Sequence, residues 1–134
     1  MKICDILSRE RPSLSFEVFP PKRLPASLFG NDEERAAMAR TKEVVAQIAA
    51  SQPAFVSVTY GAAGGTTGAN TCELARYVQE TCGVPALAHL TCVTSTRERI
   101  ADELKAFRTA GIETRISPLV NKIIENPDDP KKWK

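Results

Sequence analysis

The run Ser13-Leu14-Ser15-Phe16-Glu17-Val18-Phe19-Pro20 reads as a strand, yet it sets a carboxylate in its middle. An unpaired charge buried in such a segment is costly, so Glu17 calls for a partner, a shifted pKa or a chemical task. Two further strand-like runs also carry polar groups near their C-terminal ends. Ala54–Tyr60 brings Thr59, and Pro85–Thr91 brings His89, the one histidine of the chain. A carboxyl, a hydroxyl and an imidazole are groups on which acid–base chemistry and ligand binding draw. Each has an ordinary explanation when taken singly: an edge or salt-bridged carboxylate, a common strand threonine, a hydrogen-bonded structural histidine. Their shared position at one end of successive strands raises the functional reading.

Strand side chains alternate, so Ser13, Ser15 and Glu17 share a face, as do Phe55, Ser57 and Thr59, and Pro85, Leu87, His89 and Thr91. The elements that carry them alternate in type. Residues 13–19 are a predicted strand, and about Asp32 to Ala50 a helix with apolar positions at Ala36, Ala37, Val44, Val45 and Ile48. Residues 54–60, rich in β-branched and aromatic residues, form the second strand. A glycine-rich stretch, Gly61 to Gly68, has no lysine in Walker position and does not fit GxGxxG. The next helix is expected from Asn70, a good N-cap, to Cys82, with Gly83 as its stop. Pro85–Thr91 is the third strand. Ser95 and Glu98 fit a capping box for a third helix that ends at Gly111, and Ile112–Ile116 begins a fourth strand.

Strands alternating with helices imply an α/β fold with parallel strands and right-handed crossovers. An open doubly wound sheet and a (β/α)8 barrel both fit. A barrel takes about 250 residues, so length alone favours the open sheet. Ligands bind at the C-terminal ends of the strands in either case.

The 134 residues suffice for one domain, and 43% hydrophobic with 25% charged residues is ordinary globular usage. A net charge of +2, from 18 basic and 16 acidic residues spread along the chain, gives no electrostatic case for nucleic acid or an anionic membrane. No apolar run approaches the ~20 residues of a spanning helix. Asp5, Ser8 and Arg9 interrupt any signal-peptide core, so a soluble cytoplasmic protein is expected. Cys4, Cys72, Cys82 and Cys92 form no CxxC pair; with one histidine, no metal site is expected, and the thiols are read as reduced.

Ser15-Phe16-Glu17-Val18-Phe19-Pro20-Pro21-Lys22, Phe55-Val56-Ser57-Val58-Thr59-Tyr60-Gly61-Ala62 and Ala88-His89-Leu90-Thr91-Cys92-Val93 together closely resemble the methylenetetrahydrofolate reductase family. The motifs occur in order and at the family's spacing, Thr71-Cys72-Glu73-Leu74-Ala75 adds to the match, and the resemblance covers roughly residues 1–113. It implies a flavin-containing (β/α)8 TIM barrel, present here as about its first three to four βα units. It also implies an oxidoreductase in which NADH or NADPH reduces FAD, which in turn reduces 5,10-methylenetetrahydrofolate to 5-methyltetrahydrofolate. By the same resemblance Glu17 is the general acid that assists opening of the folate's five-membered ring. Thr59 contacts the nicotinamide cofactor, and Tyr60, Ala62 and His89 contact FAD. An acid needs its proton near neutral pH, and an apolar setting raises a carboxyl pKa, which agrees with that role.

The resemblance stops after Gly111-Ile112-Glu113. The family's Leu-Arg-Gly-Asp-Pro-like motif is replaced by Thr114-Arg115-Ile116-Ser117-Pro118-Leu119-Val120, and residues 121–134 read as a divergent polar tail after a 1–120 barrel portion. A truncated or frame-shifted product is the expectation, one that binds FAD weakly or not at all on its own. The alternative is a non-catalytic partial barrel that acts only by association with another chain. A lyase with Glu17 as base is a third reading, disfavoured by the three ordered motifs. The choice of NADH or NADPH and the oligomeric state, a homo-oligomer included, stay open.

Overall fold

The computed structural model describes residues 3–8, 12–21, 31–60, 68–90 and 96–112. Its elements follow in the order α1 (Ile3–Leu7), β1 (Ser15–Val18), α2 (Asn31–Ala49), β2 (Phe55–Val58), α3 (Gly68–Glu80), β3 (Ala86–Ala88) and α4 (Arg97–Thr109). The strands form one parallel sheet in the order β1-β2-β3, with Ser15 opposite Phe55, Glu17 opposite Ser57, and Ser57 opposite Leu87.

That order is the one successive strands of a barrel have, and equally that of one half of a doubly wound sheet. Each crossover steps the sheet in the same direction, and right-handed crossovers then put every connecting helix on one face. A doubly wound sheet needs a reversal of direction. The core agrees with single winding: Val18, Val56, Val58, Ala86 and Ala88 pack with Met38 and Val45 of α2, Leu74, Ala75 and Val78 of α3, and Phe107 of α4. Val56, Val58, Leu74, Ala75 and Val78 are fully enclosed.

The predicted strands are longer than those observed. β1 loses its last ladder positions at Phe19 and Pro20, because proline has no N–H to donate. Ala54 N still donates to the Leu14 carbonyl at 2.8 Å, and His89 N to that of Val58 at 2.9 Å, so pairing reaches beyond the formal strand ends. The short α1 has no counterpart in the sequence reading. Strand residues 113–116 and the tail 121–134 lie outside the described residues.

Two helix starts differ from expectation. Asn70 is not the N-cap of α3 but its third residue, buried, with its side chain turned to other elements. Thr96 caps α4, its hydroxyl accepting from Arg99 N at 3.3 Å, which makes Arg99 rather than Glu98 the third helical residue and removes the capping box. Both helix ends do use glycine: Gly83 and Gly111 adopt φ of +68°, which lets the chain reverse after α3 and α4. Lys42 of α2 joins Glu73 of α3 at 2.6 Å and lies over the Tyr77 ring, tying the two helices on the outer side of the core.

Leu74 has no exposed surface and touches the centre of this core. Leu74→Ala is expected to lower the unfolding free energy by roughly 2–5 kcal/mol, a large part of a small domain's stability. Urea denaturation with an unchanged m-value measures it; a loss under about 1 kcal/mol would mean that the helix layer does not depend on this contact.

Candidate functional site

With α2, α3 and α4 packed on one side of the sheet, the face they leave uncovered carries the polar residues. Glu17, Ser57 and Leu87 stand in one row across β1, β2 and β3. Thr59 and His89 follow two residues on, just past the ends of β2 and β3. They are held in register by Thr59 N donating to the Val18 carbonyl at 3.0 Å and by the His89 amide on Val58. Neighbouring strands lie about 4.8 Å apart, so Glu17, Ser57, Thr59 and His89 occupy a patch roughly 10 Å across at the C-terminal edge of the sheet.

Burial within the patch follows strand position. β2 is the central strand of the three, and its Ser57 and Thr59 are buried. The Ser57 hydroxyl also lies 3.4 Å from the Phe16 carbonyl. Phe55, Leu87 and His89 are half-buried, whereas Glu17 is exposed. The expectation of a buried-strand carboxylate is thus corrected: Glu17 alternates onto the uncovered face, and the described residues do not enclose it in apolar surroundings. The patch offers an apolar floor, Phe55 and Leu87, with hydroxyl and imidazole groups at its upper edge and a carboxyl at its side. Such a surface suits a flat heterocycle that needs both stacking area and hydrogen bonds.

Tyr60 points the other way. It lies on the helix face, buried, and its hydroxyl donates to Glu103 Oε1 of α4 at 2.8 Å. Arg99 Nε approaches the same oxygen at 3.3 Å, while Glu103 Oε2 is buried with no partner among the described residues. Burial pushes the Tyr60 phenol above its ordinary 10.0, the Glu103 hydrogen bond and charge add to this, and Arg99 opposes it. Only the backbone of Tyr60 reaches the sheet edge where Glu17, Thr59 and His89 gather. Ala62 lies outside the described residues.

Asn70, Thr71 and Glu103 are residues to which the sequence reading gave no role at the strand ends. Asn70 Nδ2 donates to the Pro21 carbonyl at 3.2 Å and to Glu34 Oε1 at 3.1 Å, and the fully buried Thr71 hydroxyl donates to the Thr59 carbonyl at 3.1 Å. A signal for two of them exists in the sequence. Thr71 shares the spacing of Leu74, Ala75 and Val78, and Glu103 that of Ile100, Leu104 and Phe107, so each is a polar residue on an apolar helical stripe.

A model of the family described as methylenetetrahydrofolate reductase matches residues 2–118. The chain is 32% identical over 112 residues to "Methylenetetrahydrofolate reductase (NADH) 1" of Zea mays, covering 84% of this chain and 17% of that protein. It is 33% identical over 112 residues, 84% of this chain and 17% of the relative, to the "Probable methylenetetrahydrofolate reductase (NADH)" of Oryza sativa subsp. japonica. With the "5,10-methylenetetrahydrofolate reductase" of Pectobacterium carotovorum subsp. carotovorum it shares 30% over 102 residues, 76% of this chain and 30% of the relative. The chain thus spans less than a third of the length of these relatives.

The raised phenol pKa has a measurable consequence. A group whose folded pKa exceeds its unfolded value contributes stability that is present below about pH 10 and lost as pH rises through the folded pKa. Thermal unfolding midpoints between about pH 9 and about pH 11 are expected to fall more steeply for the unsubstituted chain than for Tyr60→Phe. Parallel slopes would show that the Tyr60 phenol is neither buried nor held beside Glu103 as described.

Proposed function

The chain belongs to the methylenetetrahydrofolate reductase family, and we propose that its uncovered sheet face is the first portion of a (β/α)8 barrel site that reduces 5,10-methylenetetrahydrofolate to 5-methyltetrahydrofolate. The single winding of β1-β2-β3 supports the barrel reading, since the face opposite the helices of such a sheet becomes the barrel interior. One observation carries the functional reading: Glu17, Thr59 and His89, from three strands, meet on that face at its C-terminal edge.

The patch fits a flavin, with Phe55 and Leu87 as apolar area and His89 as a hydrogen-bonding group, so FAD is the cofactor proposed here. FAD, when bound, supplies hydride transfer between NADH or NADPH and the folate. The roles of this chain's residues are then distinct. Thr59 orients the nicotinamide cofactor. His89, the Tyr60 backbone and Ala62 hold FAD. Glu17 donates a proton to the folate nitrogen released when the five-membered ring opens, which spares that nitrogen from leaving as an anion. An exposed carboxyl becomes an efficient acid only when water is excluded, so closure of the site over Glu17 is part of the proposal.

Replacing Glu17 by Gln in an active enzyme that contains this segment keeps the size and removes the acid. Folate reduction is expected to fall by about 10²–10⁴-fold, with flavin reduction by NAD(P)H largely intact. Stopped-flow measurement of the two half-reactions separates them, and equal loss in both would place Glu17 in flavin binding instead. The 134-residue chain, with three strands in its described sheet, is expected to bind FAD weakly or not at all. A yellow purified chain that turns over methylenetetrahydrofolate would overturn that expectation.

A further inference from the structure

The C-terminal end of β1 is the least self-sufficient part of the site. Alternation of a parallel ladder pairs Thr59 N with the Val18 carbonyl, as observed at 3.0 Å, and next requires the amide of residue 20 to donate to the Thr59 carbonyl. Residue 20 is proline and so is residue 21, so neither has a hydrogen to give. A buried carbonyl left unpaired is unfavourable, and a strand end with no donors is held only through its own carbonyls.

We propose that Asn70 and Thr71, consecutive residues of α3, are positioning residues: Thr71 supplies the donor that Pro20 lacks, Asn70 anchors the Pro21 carbonyl, and together they fix Glu17 against Thr59. The Thr71 hydroxyl, fully buried, takes the place of the missing amide on the Thr59 carbonyl at 3.1 Å. The Asn70 amide, also buried, holds the Pro21 carbonyl at 3.2 Å and steadies itself on Glu34 of α2 at 3.1 Å. One helical turn thereby grips both strand ends, one bearing the carboxyl and the other the hydroxyl. A threonine in the stripe of Leu74, Ala75 and Val78, where an apolar residue would pack better, is accounted for by this bond. The clamp is a property of the chain; its bearing on catalysis rests on the function proposed above.

Amide hydrogen exchange on the 134-residue chain tests the clamp without any cofactor. In Thr71→Val the Thr59 amide is expected to exchange about tenfold faster, the scale of one lost buried hydrogen bond, while the mid-strand Val56 amide is unchanged. Thr71→Ser, which keeps the hydroxyl, retains protection, and Asn70→Leu loosens the same strand end. Pro20→Ala provides the decisive comparison because it restores the ladder donor: adding Thr71→Val to Pro20→Ala is expected to leave Thr59 exchange unaltered. That pair also decides the matter if Thr71→Val alone fails to fold. Acceleration of every amide by one factor, or an undiminished Thr71→Val effect in the Pro20→Ala background, overturns the clamp. In an active enzyme, Thr71→Val is expected to slow flavin reduction by NAD(P)H about tenfold and Thr71→Ser to preserve it; a normal rate overturns the positioning role. An unsubstituted enzyme that reduces no flavin overturns the function proposed for Thr59, and leaves the exchange result to judge the clamp.

Discussion

The packing of Val56 and Val58 of β2 against Leu74, Ala75 and Val78 of α3 decides which way every other side chain of the sheet points. Strand side chains alternate with a period of two, so once these valines are buried under the helices, Ser57 and Thr59 face the other side. Parallel register passes the decision to the neighbours: Glu17 stands opposite Ser57, and Leu87 completes the row. A slip of one residue in any strand would bury Glu17 under α2 and α3 and expose the core valines, a cost far beyond that of any single hydrogen bond at the sheet edge. The functional face is therefore a consequence of apolar packing on the opposite face.

Packing alone does not set the strand ends, where the ladder runs out and ligands of α/β sheets bind. There the structure uses polar residues drawn from the helical stripes. Thr71 reaches the Thr59 carbonyl, and Glu103, with Arg99 beside it, holds the Tyr60 hydroxyl. The first contact is buried and the second part-buried, and away from water a hydrogen bond is stronger and an unmet partner more costly than at the surface. Glu103 shows the second side of this, since its other carboxylate oxygen, also buried, has no partner among the described residues. The edge of β2 is thus held from two helices at once, by α3 at residue 59 and by α4 at residue 60.

Much of the element order was legible in the residues. The β-branched run at 54–60, the apolar spacing of residues 36–48 and the glycines at 83 and 111 each have a local physical cause and each led to the element observed. The alternation that grouped Glu17, Thr59 and His89 was legible for the same reason. Element boundaries were less so. Asn70 looks like a helix cap because asparagine usually serves there, but here its amide is engaged by Pro21 and Glu34, partners 49 and 36 residues away in sequence. The cap of α4 is Thr96 rather than the expected Ser95, because the Thr96 hydroxyl is the one described as meeting the Arg99 amide.

Sequence by itself determined the family, the α/β alternation and the candidate carboxyl, hydroxyl and imidazole, because these follow from residue type, order and short-range period. Only the tertiary structure decided that the three described strands follow one another across the sheet in chain order, that Glu17 is exposed while Ser57 and Thr59 are buried, and that Tyr60 turns away from them toward Glu103. Those outcomes rest on contacts between residues far apart in the chain, such as the 43 positions that separate Tyr60 from Glu103. Which strand lies in the centre, and which helix covers it, has no local signature in the chain.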